Sequence, residues 1–437
     1  MKRAWSIWIA GVFAYVVAVL NRTAFGVSGL QAQERFDVEP SVLATFVVLQ
    51  VVVYAGMQIP AGLLLDRFGS RSMIAAGALF MAGGEVALAW TESVPLAVFG
   101  RVLVGTGDAF TFLAVLRLVP EWFSPRRVPV VSQLTGILGQ LGQVLSAVPL
   151  LALLRAQGWE TAFLSAAAVG VFSGCLALAV IKDSPHPKES PPDAGSSLRE
   201  LRSQIATVWR RPGTRLGFFS HMGTQFSITT FALMWGVPYL VSAQGLSLSA
   251  AGGMLAVSVL SAIVVGPIIG MLTARYPLRR SWLVLASITG TVTIWTVVLA
   301  LSHPAPVWLL VLLVVIISVG GPGSVIGFDY ARTSNPSTSM GTAQGMVNVG
   351  GFAATLVTIE AIGIVLDKAG GLTFDAFRLA WLVQYPIWAI AIAGVLISRN
   401  TARREAATQG IYVKPLREVV ARIRHRPPNE PGADPKE

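Results

Sequence analysis

The sequence predicts an all-α integral membrane protein with twelve transmembrane helices in two six-helix bundles. Three observations carry that prediction. Apolar residues make up 54% of the chain and charged residues 13%, against about 25% charged in a typical soluble domain. Apolar runs of about 20 residues, the length that crosses a bilayer, recur from end to end. A helix-loop-helix signature also occurs twice. Its first copy is Gly62-Leu63-Leu64-Leu65-Asp66-Arg67-Phe68-Gly69-Ser70-Arg71, and in the second half Gly270, Arg275 and Arg279 repeat Gly62, Arg67 and Arg71 at the same spacing. Ala274 there replaces the acid and Pro277 the turn glycine. A chain that repeats such a unit across its halves reads as two related bundles.

Span 1 is predicted over 5–28, and Asn21-Arg22 interrupts its apolar run. With no small-residue cleavage site after it, this reads as a retained span and not a signal peptide. An outer loop with Glu34, Asp37 and Glu39 follows. Spans 2 to 6 are predicted over 41–65, 72–90, 95–119, 128–154 and 161–181, closing an N-terminal bundle at residues 1–181. The loop between spans 2 and 3 is so short that the two helices must be antiparallel neighbours. Residues 182–213 form a cytoplasmic linker. Its first part, with Pro185, Pro187, Pro191 and Pro192, reads as flexible. Leu198, Leu201, Ile205 and Val208 then recur at helical spacing among arginines, which predicts an amphipathic helix on the inner membrane face. Residues 214–398 form a second bundle, with spans over 214–241, 249–274, 281–301, 306–331, 341–366 and 374–398. Gly320-Gly321-Pro322-Gly323 predicts a bent or broken span 10. A basic tail occupies 399–437, with a short helix possible near 416–423.

The formal charge of +11 suggests nucleic acid until its placement is read. Most Lys and Arg residues fall in termini and loops on one predicted side. Arg35, Arg155 and Lys368 fall on the other, and Arg22, Arg101, Arg117 and Arg378 lie within spans. This is the positive-inside bias, so both termini are expected in the cytoplasm and the protein in the cell membrane, with no nucleic-acid partner. The lone Cys175 excludes an intrachain disulfide.

Ionisable residues inside spans are functional candidates by default, because burying them is costly. Arg22 lies about 25 Å along span 1 from Trp5, past the midplane, with Tyr15 on the same face. A guanidinium facing a water-filled cavity would bind a carboxylate or phosphate bidentately. Its alternatives are snorkelling to the outer surface or an internal ion pair. On span 4, Arg101, Gly105 and Asp108 share a face. Asp108 is the candidate proton carrier, with a standing ion pair to Arg22 or Arg101 as the alternative. Gln225, Tyr239 and His221 on span 7 and Asn348 on span 11 are candidate substrate contacts. Gly136, Gly139 and Gly142 on span 5 predict tight helix packing. Arg117 is expected to pair with Glu121, Arg378 with Glu360 and Asp329 with Arg332; Glu85 reads as a bundle brace.

Twelve spans with this loop resemble the major facilitator superfamily over nearly the whole chain. Ser70 stands where that superfamily usually has the first of two adjacent basic residues. The resemblance implies that Asp66, Arg67 and Arg71, with Gly62 and Gly69, form a gating and structural loop. Tyr15, Asn21-Arg22, the Arg101-Val102-Leu103-Val104-Gly105-Thr106-Gly107-Asp108-Ala109 stretch and Glu121-Trp122-Phe123 narrow the resemblance to the anion:cation symporter family. That implies a substrate-binding role for Arg22 and a cation-coupling role for Asp108. An acid is usual at the position of Asn21, which leaves the stoichiometry open.

The sequence therefore points to a secondary transporter for a small organic anion, a carboxylate or a phosphate ester, moved inward with a proton and acting as a monomer. The alternative is a drug or metabolite exporter; the missing Gly-Pro of drug antiporters in span 5 counts against it. An enzyme is not expected, since there are no paired catalytic carboxylates, no metal-spaced His/Cys set and no Gly-x-Ser-x-Gly elbow. No cofactor or metal is expected, and a non-transporting receptor is the remaining class.

Overall fold

A computed structural model of the chain describes residues 2–37, 40–185, 198–408 and 410. Among these, eleven helices are long and apolar enough to cross a membrane. The second of them, Pro40–Trp90, carries two spans, because Gly69 leaves helical geometry at φ 77 and ψ 170. A straight helix of its 51 residues would run about 75 Å. It instead folds back. A Cβ at Gly105 would meet the Gln50 carbonyl, and one at Gly84 the carbonyl of Gly100, so both limbs lie on the same stretch of span 4. Only glycine adopts this positive φ without strain, and the Asp183 carboxylate fills the space a side chain there would need. The described residues thus make twelve crossings. The others are span 1 Lys2–Val27, span 4 Val94–Trp122, span 5 Val128–Gln157, span 6 Trp159–Val180, span 7 Pro212–Ala243, span 8 Leu248–Arg275, span 9 Arg280–Leu299, span 10 Val307–Ser334, span 11 Ser337–Lys368 and span 12 Phe374–Thr408.

Spans 1 to 6 pack on one another through span 4 and span 1, and spans 7 to 12 through span 7. Their cores differ. The first is rich in aliphatic side chains from spans 1 and 4. The second is built on stacked Trp295 and Trp381, with ring centroids 4.4 Å apart, and on Phe231, Phe377 and Tyr239 around them. The two bundles meet mainly where span 2 crosses span 11 and span 5 crosses span 8. The repeated glycines mark these crossings. A Cβ at Gly62 would fall on the Gly341 backbone of span 11, and one at Gly270 would meet Val130 Cα of span 5 at 3.0 Å. The duplicated signature therefore places one close backbone contact on each side of the seam.

We call the end holding Asp66, Arg71 and Arg117 the basic end. Here Arg71 donates from its backbone N–H to Asp183 at 2.9 Å and from its guanidinium to the Leu178 carbonyl at 2.5 Å, fixing the loop to the end of span 6. Arg67 is exposed over the Phe68 ring. Gly62→Ala is expected to overpack the crossing, at a cost of about 1–3 kcal/mol to the closed arrangement. Gly136→Ala, where a Cβ would meet nothing within 4 Å, is expected to be silent. Thermal unfolding of the two purified variants checks the contrast.

The structure corrects some of these expectations and adds to others. The loop after span 1 holds a helix, Gly29–Phe36, tied down by Arg35 donating to the carbonyls of Thr91 and Ala89. The amphipathic helix Leu198–Arg210 docks on protein: Val208 and Ile205 join the first core, and Gln204 Nε2 donates to Thr342 Oγ1 at 3.2 Å. Span 12 stays helical to Thr408. Arg378 pairs with Asp375 at 3.3 Å and donates to the Leu299 carbonyl, while Glu360 is exposed. Arg117 reaches Asp66 at 3.4 Å and donates to the Leu65 carbonyl. Span 10 is interrupted at Val319, just before the glycine cluster, but the backbone there stays close to helical geometry at φ −59 and ψ −26. Spans 5 and 7 carry unforeseen π segments, Ser146–Leu150, Phe231–Trp235 and Tyr239–Ala243. The linker over 186–197 and the helix near 416–423 lie outside the described residues.

Candidate functional site

Beyond Lys2 and Arg3 at its start, Arg22 is the one charge on span 1, so packing of the apolar remainder carries that charge into the bundle interior. Arg22 Nη1 meets Asp108 Oδ2 at 3.3 Å. The acid side chain is fully buried, but 23% of the arginine side chain stays accessible. Tyr15 and Tyr54 lie beside the same guanidinium. Tyr15 is held by Phe112, 5.0 Å away, and by Gly139, whose missing Cβ leaves room for the phenol ring. The span-5 glycines thus have a positional reason: Gly142 packs on the span-1 backbone and Gly139 on Tyr15, whereas Gly136 faces open space. A charged hydrogen bond is strong in such a site, and a carboxylate with one oxygen left free is costly. Asp108 Oδ1 is that free oxygen.

Behind this pair sits Arg101, 0% exposed. It donates to the Arg22 carbonyl at 3.0 Å and to Gln50 Oε1, and lies 5.1 Å over the Phe25 ring. It therefore props the backbone that carries Arg22. Glu85 is also fully buried near Arg101, and neither of its oxygens has a hydrogen-bond partner. Both side-chain atoms of Asn21 lack one too. Gly105 lets span 2 approach, its missing Cβ lying 2.9 Å from the Gln50 carbonyl.

The second bundle adds Asn348, whose Nδ2 donates to Gln58 Oε1 at 2.7 Å and to Tyr54 Oη at 3.1 Å. Gln225 sits one turn beyond His221 and faces Gly351. Tyr15, Arg22, Asp108, Arg101 and Asn348 are thus linked into one polar seam, with Gln225 at its border. Tyr239 is not part of it. It packs on Trp295, Phe377 and Trp381, and its hydroxyl accepts from Gln244 Nε2 at 2.9 Å. Its expected substrate contact is corrected to a core role, because its helix face turns into the bundle. Tyr54, Gln58 and Gln50 were missed. The signal was present: Gln50, Tyr54, Gln58, Gly62 and Asp66 recur every four residues along span 2, so neighbours in the series stack on adjoining parts of one helix surface.

The basic end is closed by carboxylates. Asp66 accepts from the backbone N–H groups of Gly341 and Thr342, each at 2.7 Å, and from Thr342 Oγ1 at 2.6 Å. These N–H groups lie in the first turn of the Met340–Lys368 helix, whose N-cap Ser339 makes no side-chain cap bond. One bundle therefore caps a helix of the other. In the second bundle Asp329 takes Arg280 and Arg332, the latter at 2.5 Å, and Arg280 stacks 4.3 Å over Tyr330. Among the described residues, no cluster of three or more His, Cys, Asp or Glu could hold a metal ion.

Two helical bundles around a polar seam, one end latched and an intramembrane arginine at the centre, define a membrane transporter and not an enzyme. The chain belongs to the Major Facilitator Superfamily, whose family model matches residues 11–359. It is similar to the probable galactarate/D-glucarate transporter GarP of Escherichia coli, 24% identical over 391 residues, covering 81% of this chain and 87% of that protein. It is also similar to the probable sulfoacetate transporter SauU of Cupriavidus necator, 24% identical over 379 residues, covering 82% and 86%. The solved proton:xylose symporter XylE shares the fold, with a TM-score of 0.64 at 15% identity over 91% of this chain and 94% of that one. The protein is accordingly a multi-pass membrane transporter.

Proposed function

We propose that this transporter moves a small organic anion, a carboxylate or phosphate ester, inward together with a proton by alternating access. The observation that carries this reading is the Arg22–Asp108 pair, a partly accessible guanidinium whose acid partner among the described residues is buried and half-satisfied. An incoming anion and the Asp108 carboxylate compete for one cation. Protonating Asp108 removes the competitor, so proton and anion binding favour each other, and by linkage the coupling is reciprocal. A bound anion also compensates Arg22 while the site is occluded. Relatives named for sugar diacids and a sulfonated acid agree with an anionic substrate. The basic loops are assigned to the cytoplasm, with both termini, in the cell membrane. The closed end then faces the cytoplasm. The two bundles, residues 1–181 and 214–398, are taken as the moving bodies of a single working chain.

The test is uptake of labelled D-glucarate, sulfoacetate and a phosphate ester into proteoliposomes with and without an acid-outside gradient. Gradient-stimulated uptake of one of them is expected; gradient-insensitive uptake would remove the proton. Asp108→Asn is expected to keep anion binding but to flatten its pH dependence. In the wild type, apparent affinity rises as pH falls, because protonation frees Arg22. Binding isotherms at pH 5.5 and pH 8 check this, and an unchanged pH dependence in the variant would assign the proton elsewhere.

A further inference from the structure

A chain of hydrogen bonds crosses the seam between two backbone carbonyls that can only accept. At one end Gln58 Nε2 donates to the Tyr54 carbonyl at 3.0 Å. Gln58 Oε1 therefore accepts from Asn348 Nδ2, at 2.7 Å. That leaves Asn348 Oδ1 facing His221 Nε2 at 3.1 Å. At the other end His221 Nδ1 faces the Ser324 carbonyl, also at 3.1 Å. Flipping either amide sets oxygen against oxygen, at Gln58–Asn348 or at Gln58–Tyr54. Every link thus points the same way until the imidazole, which in this arrangement faces an accepting oxygen at both nitrogens. A neutral imidazole has one N–H and a charged one has two. His221 and Asn348 are 1% exposed and Gln58 is 0% exposed, so water does not substitute for a missing donor.

We propose that His221 is a proton-binding site whose occupancy is tied to closure of the two bundles through the orientation of the Asn348 amide. His221, Ser324 and Asn348 belong to the second bundle, and Tyr54 and Gln58 to the first. With the bundles together, Gln58 and Tyr54 clamp the amide with its oxygen toward the ring, and the ring holds a proton at each nitrogen. When the bundles separate, the amide is free to rotate and offer Nδ2 to Nε2. The ring then needs one proton fewer and releases it to water; no other bond changes. The groups around the ring leave this balance to the amide. Span 10 offers the Ser324 carbonyl and the Phe328 ring, 4.8 Å away. Span 11 offers Asn348 and Gly351, and span 2 reaches the ring only through Asn348. Asp329, beside Phe328, is taken by Arg280 and Arg332. Tyr54 is the titratable side chain at the far end of the relay, and no charged side chain acts on the ring. The proposal rests on this geometry and not on the identity of the transported anion. It adds a second proton site to the one assigned to Asp108.

The test uses the full chain with Cys175→Ser, spin labels at Ser72→Cys and Thr338→Cys across the basic end, and Asp108→Asn to silence the other candidate. The closed-to-open ratio is expected to rise about tenfold as pH falls from 8 to 5.5, within the usual range of coupling between sites. It is expected to be flat in His221→Gln. Nitrogen NMR of the otherwise native protein labelled at its four histidines provides a readout that needs no change at the site. Two protonated ring nitrogens on His221 in the closed state are expected, and one bare nitrogen would overturn the proposal. Gln58→Leu releases the amide and is expected to return the ring to the neutral form. A ring that stays charged in that variant would overturn the relay, as would an unchanged pH profile in His221→Gln.

Discussion

Arg22→Gln is expected to weaken anion binding and anion uptake severely while the protein still folds. Hydrogen bonds to a charged group contribute about 1.5–3 kcal/mol each, so each bond of the fork that is lost is expected to weaken binding by roughly 10- to 150-fold. Folding survives because Asp108, left without its cation, neutralises by taking a proton instead of staying charged in an apolar interior. Arg22→Lys is expected to fall between the two. It keeps the charge but replaces a planar fork with a point donor, and Arg101 continues to hold the carbonyl of residue 22 from behind. Calorimetric titration with D-glucarate, or with whichever anion uptake selects, checks the series. Arg22→Gln binding as tightly as the wild type would make the arginine a structural ion pair.

Asp66→Asn opens the basic end. The carboxylate receives three short donors from the start of span 11, two of them backbone N–H groups that Ser339 leaves uncapped. Negative charge is favoured at a helix N-terminus, and capping by itself is typically worth about 1 kcal/mol. An amide keeps one accepting oxygen and turns an N–H₂ toward N–H groups that need an acceptor. Losing two charge-assisted bonds at about 1.5–3 kcal/mol each is expected to shift the closed population by at least tenfold. The spin-label pair across residues 72 and 338 measures it directly. A closed fraction equal to wild type would mean that the glycine crossings, and not the cap, hold the end shut. Asp66→Glu separates charge from reach: the longer side chain keeps the charge but does not fit beside the missing Cβ of Gly341, which would lie 2.9 Å from Asp66 Oδ1.

Charges were legible in the sequence because they stand out in apolar spans. Arg22, Asp108, Arg101 and the loop from Gly62 to Arg71 are conspicuous for that reason, and the structure puts the first three together. Neutral polar groups gave no such contrast, so Tyr54 and Gln58 went unmarked although they stand on a four-residue series with Gln50, Gly62 and Asp66. Helical phase also cannot say which way a face turns. Tyr239 and Gln225 lie on one helix, but the first points into a tryptophan core and the second borders the seam. The partners of Asp66 sit on span 11 in the other half of the chain, and no local pattern announces a cap supplied from that distance. The π segments of spans 5 and 7 shift helical phase without a distinctive residue at each site. Gly29–Phe36 reads as a loop because it is short and polar, and it is fixed by Arg35 bonding to carbonyls at the far end of span 3.

The most direct measurement is a thermal-shift screen of the purified full chain beside Arg22→Gln. The panel holds sugar acids, aromatic acids, phosphate esters, sulfonated acids, neutral sugars and lipophilic cations. A ligand that binds the folded state raises its melting temperature by an amount set by its concentration relative to its dissociation constant. Stabilisation of the wild type by anions alone, with the response lost in Arg22→Gln, is the predicted result. Equal stabilisation of both proteins by neutral compounds or lipophilic cations would contradict it and make Arg22 a structural residue in a transporter of a different substrate class.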